Sequence, residues 1–184
     1  QTCALPICYS NLEIFIADTG STDEEKKEIK KLILSHQETT VINLVEYDYY
    51  NFAKINNDVV KNHIGDDIEL LLFCNNDIKL LNNGITQMVN VYNKNKNTVG
   101  TLGARLHFGD NTIQHAGMVS WVSPKRSIEI SHLGLRSYYN YNNFSEVIGN
   151  TGAFLMVNKK LFNNIGGFNE KDRKSTRLNS SHQI

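Results

Sequence analysis

An excess of charge of either sign is the first thing this sequence lacks: its 184 residues carry 19 Lys and Arg against 19 Asp and Glu. A nucleic-acid binder needs a basic face to neutralise phosphates, so this balance argues for no nucleic acid among the partners. No run approaches the ~20 continuous apolar residues that span a bilayer. No basic block is dense enough for adsorption to anionic lipid, and no ordered signal peptide is legible. The three cysteines, Cys3, Cys8 and Cys74, have neither metal-site spacing nor the density of a disulfide framework, so a reducing compartment is the expected setting. Cys74 closes an apolar run and is expected to be a buried small hydrophobe. No Gly-x-Gly-x-x-Gly follows an apolar strand, which argues against a dinucleotide-dependent oxidoreductase. Internal repeats are absent as well.

What is present is a 40% apolar, 21% charged composition, enough for one globular domain with a core. Residues 1–8 and 171–184 break abruptly with their surroundings and read as a non-native leader and tail, leaving 9–170 as the domain. Within it, Leu12 to Ala17, Val41 to Val45 and Ile68 to Cys74 are short apolar runs that predict strands. The intervening stretches, Asp23 to His36 and Phe52 to His63, and then Asn83 to Tyr92, predict helices. The first of these has Ile29, Leu32 and Ile33 on one face, and Ser21 with Glu24, or Thr22 with Glu25, can form a capping box at its start. This βαβαβα rhythm of continuous rather than alternating apolar runs predicts a mainly parallel central sheet with helices on both faces. The second half changes character. Val99 to Leu106, Thr112 to Trp121 and Glu146 to Val157 read as strands, and the polar, Tyr-rich region 124–143 as a loop or lid.

Ligands of open parallel α/β sheets bind outside the carboxyl ends of the strands. Two polar clusters fall there: Asp18-Thr19-Gly20-Ser21-Thr22-Asp23 after the first run, and Asn75-Asn76-Asp77 after the third. Two readings fit each. Carboxylates at this edge accept hydrogen bonds from a nucleobase or ribose or hold a divalent ion on a diphosphate. Alternatively, Asp18, Ser21 and Thr22 are turn and N-cap chemistry, and Asn75 to Asp77 an ordinary turn. His115 is either a donor to phosphate or sugar hydroxyl or an internal histidine bonded to a loop carbonyl. Trp121, Tyr138, Tyr139 and Tyr141 form either a sugar-stacking wall or ordinary packing.

With these residues in view, the sequence resembles the family 2 glycosyltransferases. IFIADTGSTDEE resembles their strand–turn–helix with an Asp and a Gly-Ser-Thr-Asp. LLLFCNNDIKL resembles the strand bearing their D-x-D-type motif. TLGARLHFGDNTIQHAGMV resembles a segment of the rhamnosyltransferase-like branch, and GNTGAFLMVNKKLFNNIGGFNE the acceptor-side strand and helix. The resemblance spans 11–170 and implies an incomplete GT-A-like α/β sandwich, truncated at both ends. It implies contact of Asp18 with the nucleobase, and Asp77 as ligand of Mg²⁺ or Mn²⁺ and diphosphate, with Asn75 and Asn76 standing where fuller motifs have carboxylates. Asn51, Phe52 and Asn57 resemble a helix start near the donor pocket, and Thr151, Gly152 and Ala153 the segment under the transferred sugar, with His115 on the same acceptor side.

The implied reaction moves a sugar, with inversion, from a nucleoside diphosphate sugar donor to a hydroxyl of a glycan or lipid-linked acceptor, through a carboxylate base. The family's base lies downstream of the Gly166-Gly167-Phe168-Asn169-Glu170 element, so the resemblance implies that the usual base is missing from this sequence, with Glu170 a weak substitute, and that nucleotide sugar is bound weakly and turned over poorly or not at all. The same analogy implies cytoplasmic work at the inner face of the cell membrane, with peripheral membrane association of the full-length protein. The competing classes are a non-catalytic nucleotide-sugar-binding module and a nucleotidyltransferase, whose basic Gly-rich phosphate loop is not visible here.

Overall fold

Apolar runs form strands and capped amphipathic runs form helices in the computed structural model, which describes residues 9, 11–81, 83–122, 124, 128–138 and 145–171. The elements in order are β1 (Glu13–Asp18), α1 (Asp23–His36), β2 (Val41–Glu46), α2 (Phe52–Asn62), β3 (Leu70–Cys74), α3 (Gly84–Asn95), β4 (Thr101–Gly103), β5 (Leu106–His107), β6 (Ile113–His115), β7 (Met118–Val122), β8 (Ile128–His132), β9 (Phe154–Asn158) and α4 (Lys159–Asn164). The starts of α1, α2 and α4 follow from their side-chain caps. Thr22 accepts from the Glu25 amide while the Glu25 carboxylate accepts from the Thr22 amide, the second of the two boxes foreseen. The Asn51 side chain accepts from the Lys54 amide at 2.9 Å and opens α2.

The fold is mixed α/β with small sheets. β1 and β2 pair in parallel, Glu13 opposite Val41 through Asp18 opposite Glu46. The other principal sheet corrects the expectation of a mainly parallel arrangement. Its order is β3-β9-β4, and β9 runs antiparallel to both neighbours. The direction follows from where the chain enters β9. The Asn75 amide, just past the end of β3, donates to the Ala153 carbonyl, just before β9, at 2.9 Å. Strands buried on both faces are continuously apolar whichever way they run, so hydropathy does not encode direction.

Two cores flank this sheet, and the strand period of two divides its side chains between them. Leu71, Phe73, Leu155 and Val157 join Ala53 and Val60 of α2, Phe162 of α4 and Phe168. Phe73, Phe162 and Phe168 stack mutually with centroids 4.7 to 5.2 Å apart. Leu102, Phe154 and Met156 join Ile85, Met88, Val89 and Tyr92 of α3, the spacing of one helix face. Lys159 is buried between β9 and α4. Its ammonium donates to the carbonyls of Ile64 at 3.2 Å and Gly65 at 2.6 Å and lies 3.7 Å from Asp66. Those acceptors make the buried cation tolerable and bind the α2–β3 connection to β9.

Other expectations are revised. α1 has no fully buried residue: Ile29 and Ile33 are half-buried, but Leu32 is exposed. Cys74 is exposed rather than buried, because it is the last residue of β3 and its thiol turns to the Asn75 carbonyl at 3.3 Å. The run 112–121 is divided into β6 and β7 at Gly117, whose φ is +111° and where a Cβ would collide with the Val147 side chain. The run 99–106 is likewise interrupted between β4 and β5, and β9 begins only at Phe154. The region read as a loop contains β8, antiparallel to β7.

Candidate functional site

Asp18 ends β1 and is 6% exposed. Its Oδ1 accepts from the Ser21 amide at 3.1 Å and the Ser21 hydroxyl at 2.6 Å. The turn reaches that geometry through Gly20, whose φ of +118° excludes most side chains. Oδ2 is buried with no hydrogen-bond partner among the described residues. The Lys26 ammonium stands 3.9 Å from it but is bonded at 2.8 Å to Glu46. The Ser21 hydroxyl, against the opposing effect of burial and with help from the Ser21 amide, Lys26 and the Gly20 backbone, holds the Asp18 carboxyl below its usual range. Asp18 therefore presents a charged oxygen that lacks a donor among the described residues. Oδ1 makes the turn, as one reading of this cluster expects, and Oδ2 is left over.

Asn75, Asn76 and Asp77 follow β3 and are all exposed. The structure does not bond the strands of the two clusters to each other, since β1 pairs with β2 and β3 with β9. Among the described residues no group of three or more His, Cys, Asp or Glu is placed to hold a metal ion. A Mg²⁺ ion is commonly held by one or two carboxylates with substrate phosphates and water completing its shell. Asp77 brings one exposed carboxylate to this turn.

Thr151 and Gly152 are buried on the segment that enters β9. The Thr151 hydroxyl accepts from the Ala153 amide at 3.3 Å, and Ala153 is the residue bonded to Asn75. His115, on β6, is 1% exposed. Its Nε2 accepts from the Thr151 amide at 3.2 Å and its Nδ1 lies 2.8 Å from Nδ1 of His132 on β8, the rings meeting edge to face. Burial first, then His132, push the His115 imidazole down to about 4, with Asn150 acting weakly the other way. Both ring nitrogens are occupied inside the protein, so the structure places His115 as an internal histidine rather than one facing a ligand. His132 was missed because it falls in the region read as a loop. The alternation Ile128-Glu129-Ile130-Ser131-His132 was the available signal of a strand.

Asn57 and Glu170 are brought together. The Asn57 amide nitrogen donates to the Glu170 carboxylate at 2.9 Å and to the Phe168 carbonyl at 2.9 Å, while its oxygen accepts from the Phe168 amide at 2.8 Å. Asn57 thus holds the Gly-Gly-Phe-Asn-Glu turn, and Gly167, with φ of +75°, leaves room for the Asn57 oxygen that a Cβ would strike. Asn51 is the α2 cap already described. Trp121 is 46% and Tyr138 76% exposed; Tyr139 and Tyr141 lie outside the described residues. No described helix is long and apolar enough to cross a membrane.

Comparison with known proteins reveals distant relatives. The chain is 25% identical over 174 residues to the O-antigen biosynthesis protein RfbC of Myxococcus xanthus, covering 89% of this chain and 12% of that protein. It is 26% identical over 176 residues to the uncharacterized protein y4gI of Sinorhizobium fredii, covering 89% of this chain and 18% of that protein. The chain therefore spans less than a fifth of the length of these relatives. No family model matches it, and no solved structure matches it.

Proposed function

We propose that this chain is part of a family 2 glycosyltransferase with a GT-A-like fold, which binds a nucleoside diphosphate sugar and transfers the sugar to an acceptor hydroxyl with inversion. The observation that carries the reading is the buried, ionised Asp18 oxygen that has no donor among the described residues. An uncompensated buried acceptor costs about 1–3 kcal/mol, and a nucleobase N–H or ribose hydroxyl would relieve that cost. The similarity to an O-antigen biosynthesis protein supports a glycan or lipid-linked acceptor, and hence work at the inner face of the cell membrane.

In this reading Asp77 holds Mg²⁺ or Mn²⁺ brought by the diphosphate, and the ion offsets charge gathering on the leaving group. Thr151 and Gly152 lie under the transferred sugar. Glu170 is the candidate base within this sequence, its carboxylate oriented by Asn57. That same hydrogen bond engages one of the oxygens a base would use, which favours, as second reading, a nucleotide-sugar-binding module without transfer.

Titration calorimetry with nucleoside diphosphates, in Mn²⁺ and in chelator, tests the proposal. Asp18→Asn keeps an Oδ1 for Ser21 but replaces the spare acceptor with a donor, and affinity is expected to fall at least about tenfold, the worth of a hydrogen bond to a charged group. Asp77→Asn is expected to remove the Mn²⁺ dependence alone. Unaltered affinity in Asp18→Asn would sink the reading. Transfer to a panel of acceptors, abolished by Glu170→Gln, separates the enzyme from the binding module.

A further inference from the structure

The two histidines behind the Thr151 segment have a hydrogen-bond logic that their geometry determines. A neutral imidazole carries one proton, so one nitrogen donates and the other accepts. Nε2 of His115 faces the Thr151 amide at 3.2 Å, and a peptide N–H only donates, so that nitrogen is the acceptor. The proton of His115 then sits on Nδ1 and points at Nδ1 of His132, 2.8 Å away. Nδ1 of His132 must accept it. Reversing either ring would set two donors or two acceptors against each other inside the protein, at the cost of an unmade buried hydrogen bond.

The consequences reach beyond the two rings. Thr151 is separated by one residue from Ala153, whose carbonyl accepts the Asn75 amide at 2.9 Å. The chain of contacts therefore runs from β8 through β6 to the β9 entry and ends at the turn that carries Asp77. We propose that His132 is a positioning residue that holds His115 in its Nδ1-protonated form, and that the pair, acting through Thr151, fixes the segment 151–153 and the Asn75–Asp77 turn bonded to it. Neither ring touches the ligand; they set the register of a floor beneath it. The functional half of this inference rests on the nucleotide-sugar reading above, whereas its structural half does not.

Long-range proton–nitrogen correlations on isotopically labelled protein report which ring nitrogen carries the proton. His115 is expected to be protonated at Nδ1 and bare at Nε2, and His132 bare at Nδ1. A His115 protonated at Nε2 overturns the proposal. Substitution supplies a second arm. His132→Asn sets an Oδ1 acceptor near the position of the lost Nδ1, and His132→Leu fills similar space without one. Hydrogen exchange at the Thr151 and Asn75 amides is expected to speed up about tenfold in His132→Leu, the scale of one net hydrogen bond, and to return towards the parent value in His132→Asn. Equal exchange in parent and His132→Leu overturns the proposal. If His132→Leu does not fold, the tautomers of the parent protein decide alone.

With nucleoside diphosphate and Mn²⁺ as probe, His132→Leu is expected to bind several-fold more weakly than the parent and His132→Asn to recover. Weaker binding in both variants alike would overturn the positioning role. If the parent itself binds no nucleoside diphosphate, the glycosyltransferase reading fails, and the tautomer and exchange results still decide this one.

Discussion

Asn57 matches the backbone of one neighbour with its side-chain amide: it donates to the Phe168 carbonyl, accepts from the Phe168 amide, and donates again to Glu170. Phe168 is 3% exposed, so its backbone groups have little access to water in place of Asn57. Asn57→Ala is expected to destabilise the protein by about 2–3 kcal/mol, the penalty for buried backbone groups left unpaired, read as a lower midpoint in urea with unchanged slope. Asn57→Asp should be nearly as harmful, since it keeps the acceptor for the Phe168 amide but sets carboxylate oxygens against the Phe168 carbonyl and Glu170. A midpoint within error of the parent for Asn57→Ala would refute the clamp. At this scale the sequence marked Asp18 by its place at the end of an apolar run, and Asn57 only through the family resemblance. Which partners they find was not legible. Asn57 and Phe168 are 111 residues apart, and nothing local connects them.

Elements differ sharply in how well they are covered. Residues Phe154 to Val157 of β9 are all buried, between two bonded neighbours and two cores. β1 is half-buried along Ile14, Phe15 and Ile16, is bonded to β2, and is accompanied by α1, which has no fully buried residue. Local opening free energy follows buried apolar contact and strand pairing. Native-state hydrogen exchange is therefore expected to show the slowest amides in β9 and β3, and β1, β2 and α1 opening as a separate, less protected unit. Equal protection in β1 and β9 would contradict this. Helix boundaries were the most legible feature: α1 spans the foreseen Asp23–His36 because the capping box, early acids and later lysines act within a few residues. The strands of the second half were less legible. Gly117 and the short pieces β4 to β6 break apolar runs that a period count joins, and at Gly117 the close approach of Val147, 30 residues on, leaves no room for a Cβ.

At the scale of the whole molecule, acid should unfold the protein in a recognisable window. The folded His115 titrates at about 4 against an ordinary 6.5, so between those values the unfolded chain takes up a proton that the native state refuses. Stability is thus fully present above pH 6.5 and falls towards pH 4, by on the order of 3 kcal/mol from this group. Asp18 and Asp110, both held below the usual carboxylate range, add further loss as the pH drops through that range. Urea midpoints measured from pH 7 to pH 4 should decline, and His115→Gln, which cannot titrate, should flatten the decline if it folds; an equally steep decline in that variant would assign the loss to other groups. By itself the sequence determined the mixed α/β character, the limits of α1, the start of α2 and the two polar clusters at strand ends. Each of these depends on hydropathy period, capping or turn chemistry within about a dozen residues. Only the tertiary structure decided that β9 runs against its neighbours, that Asn57 closes on Phe168, and that His132 meets His115. Such pairings depend on which distant segments exclude water together, and a one-dimensional pattern carries no record of partners.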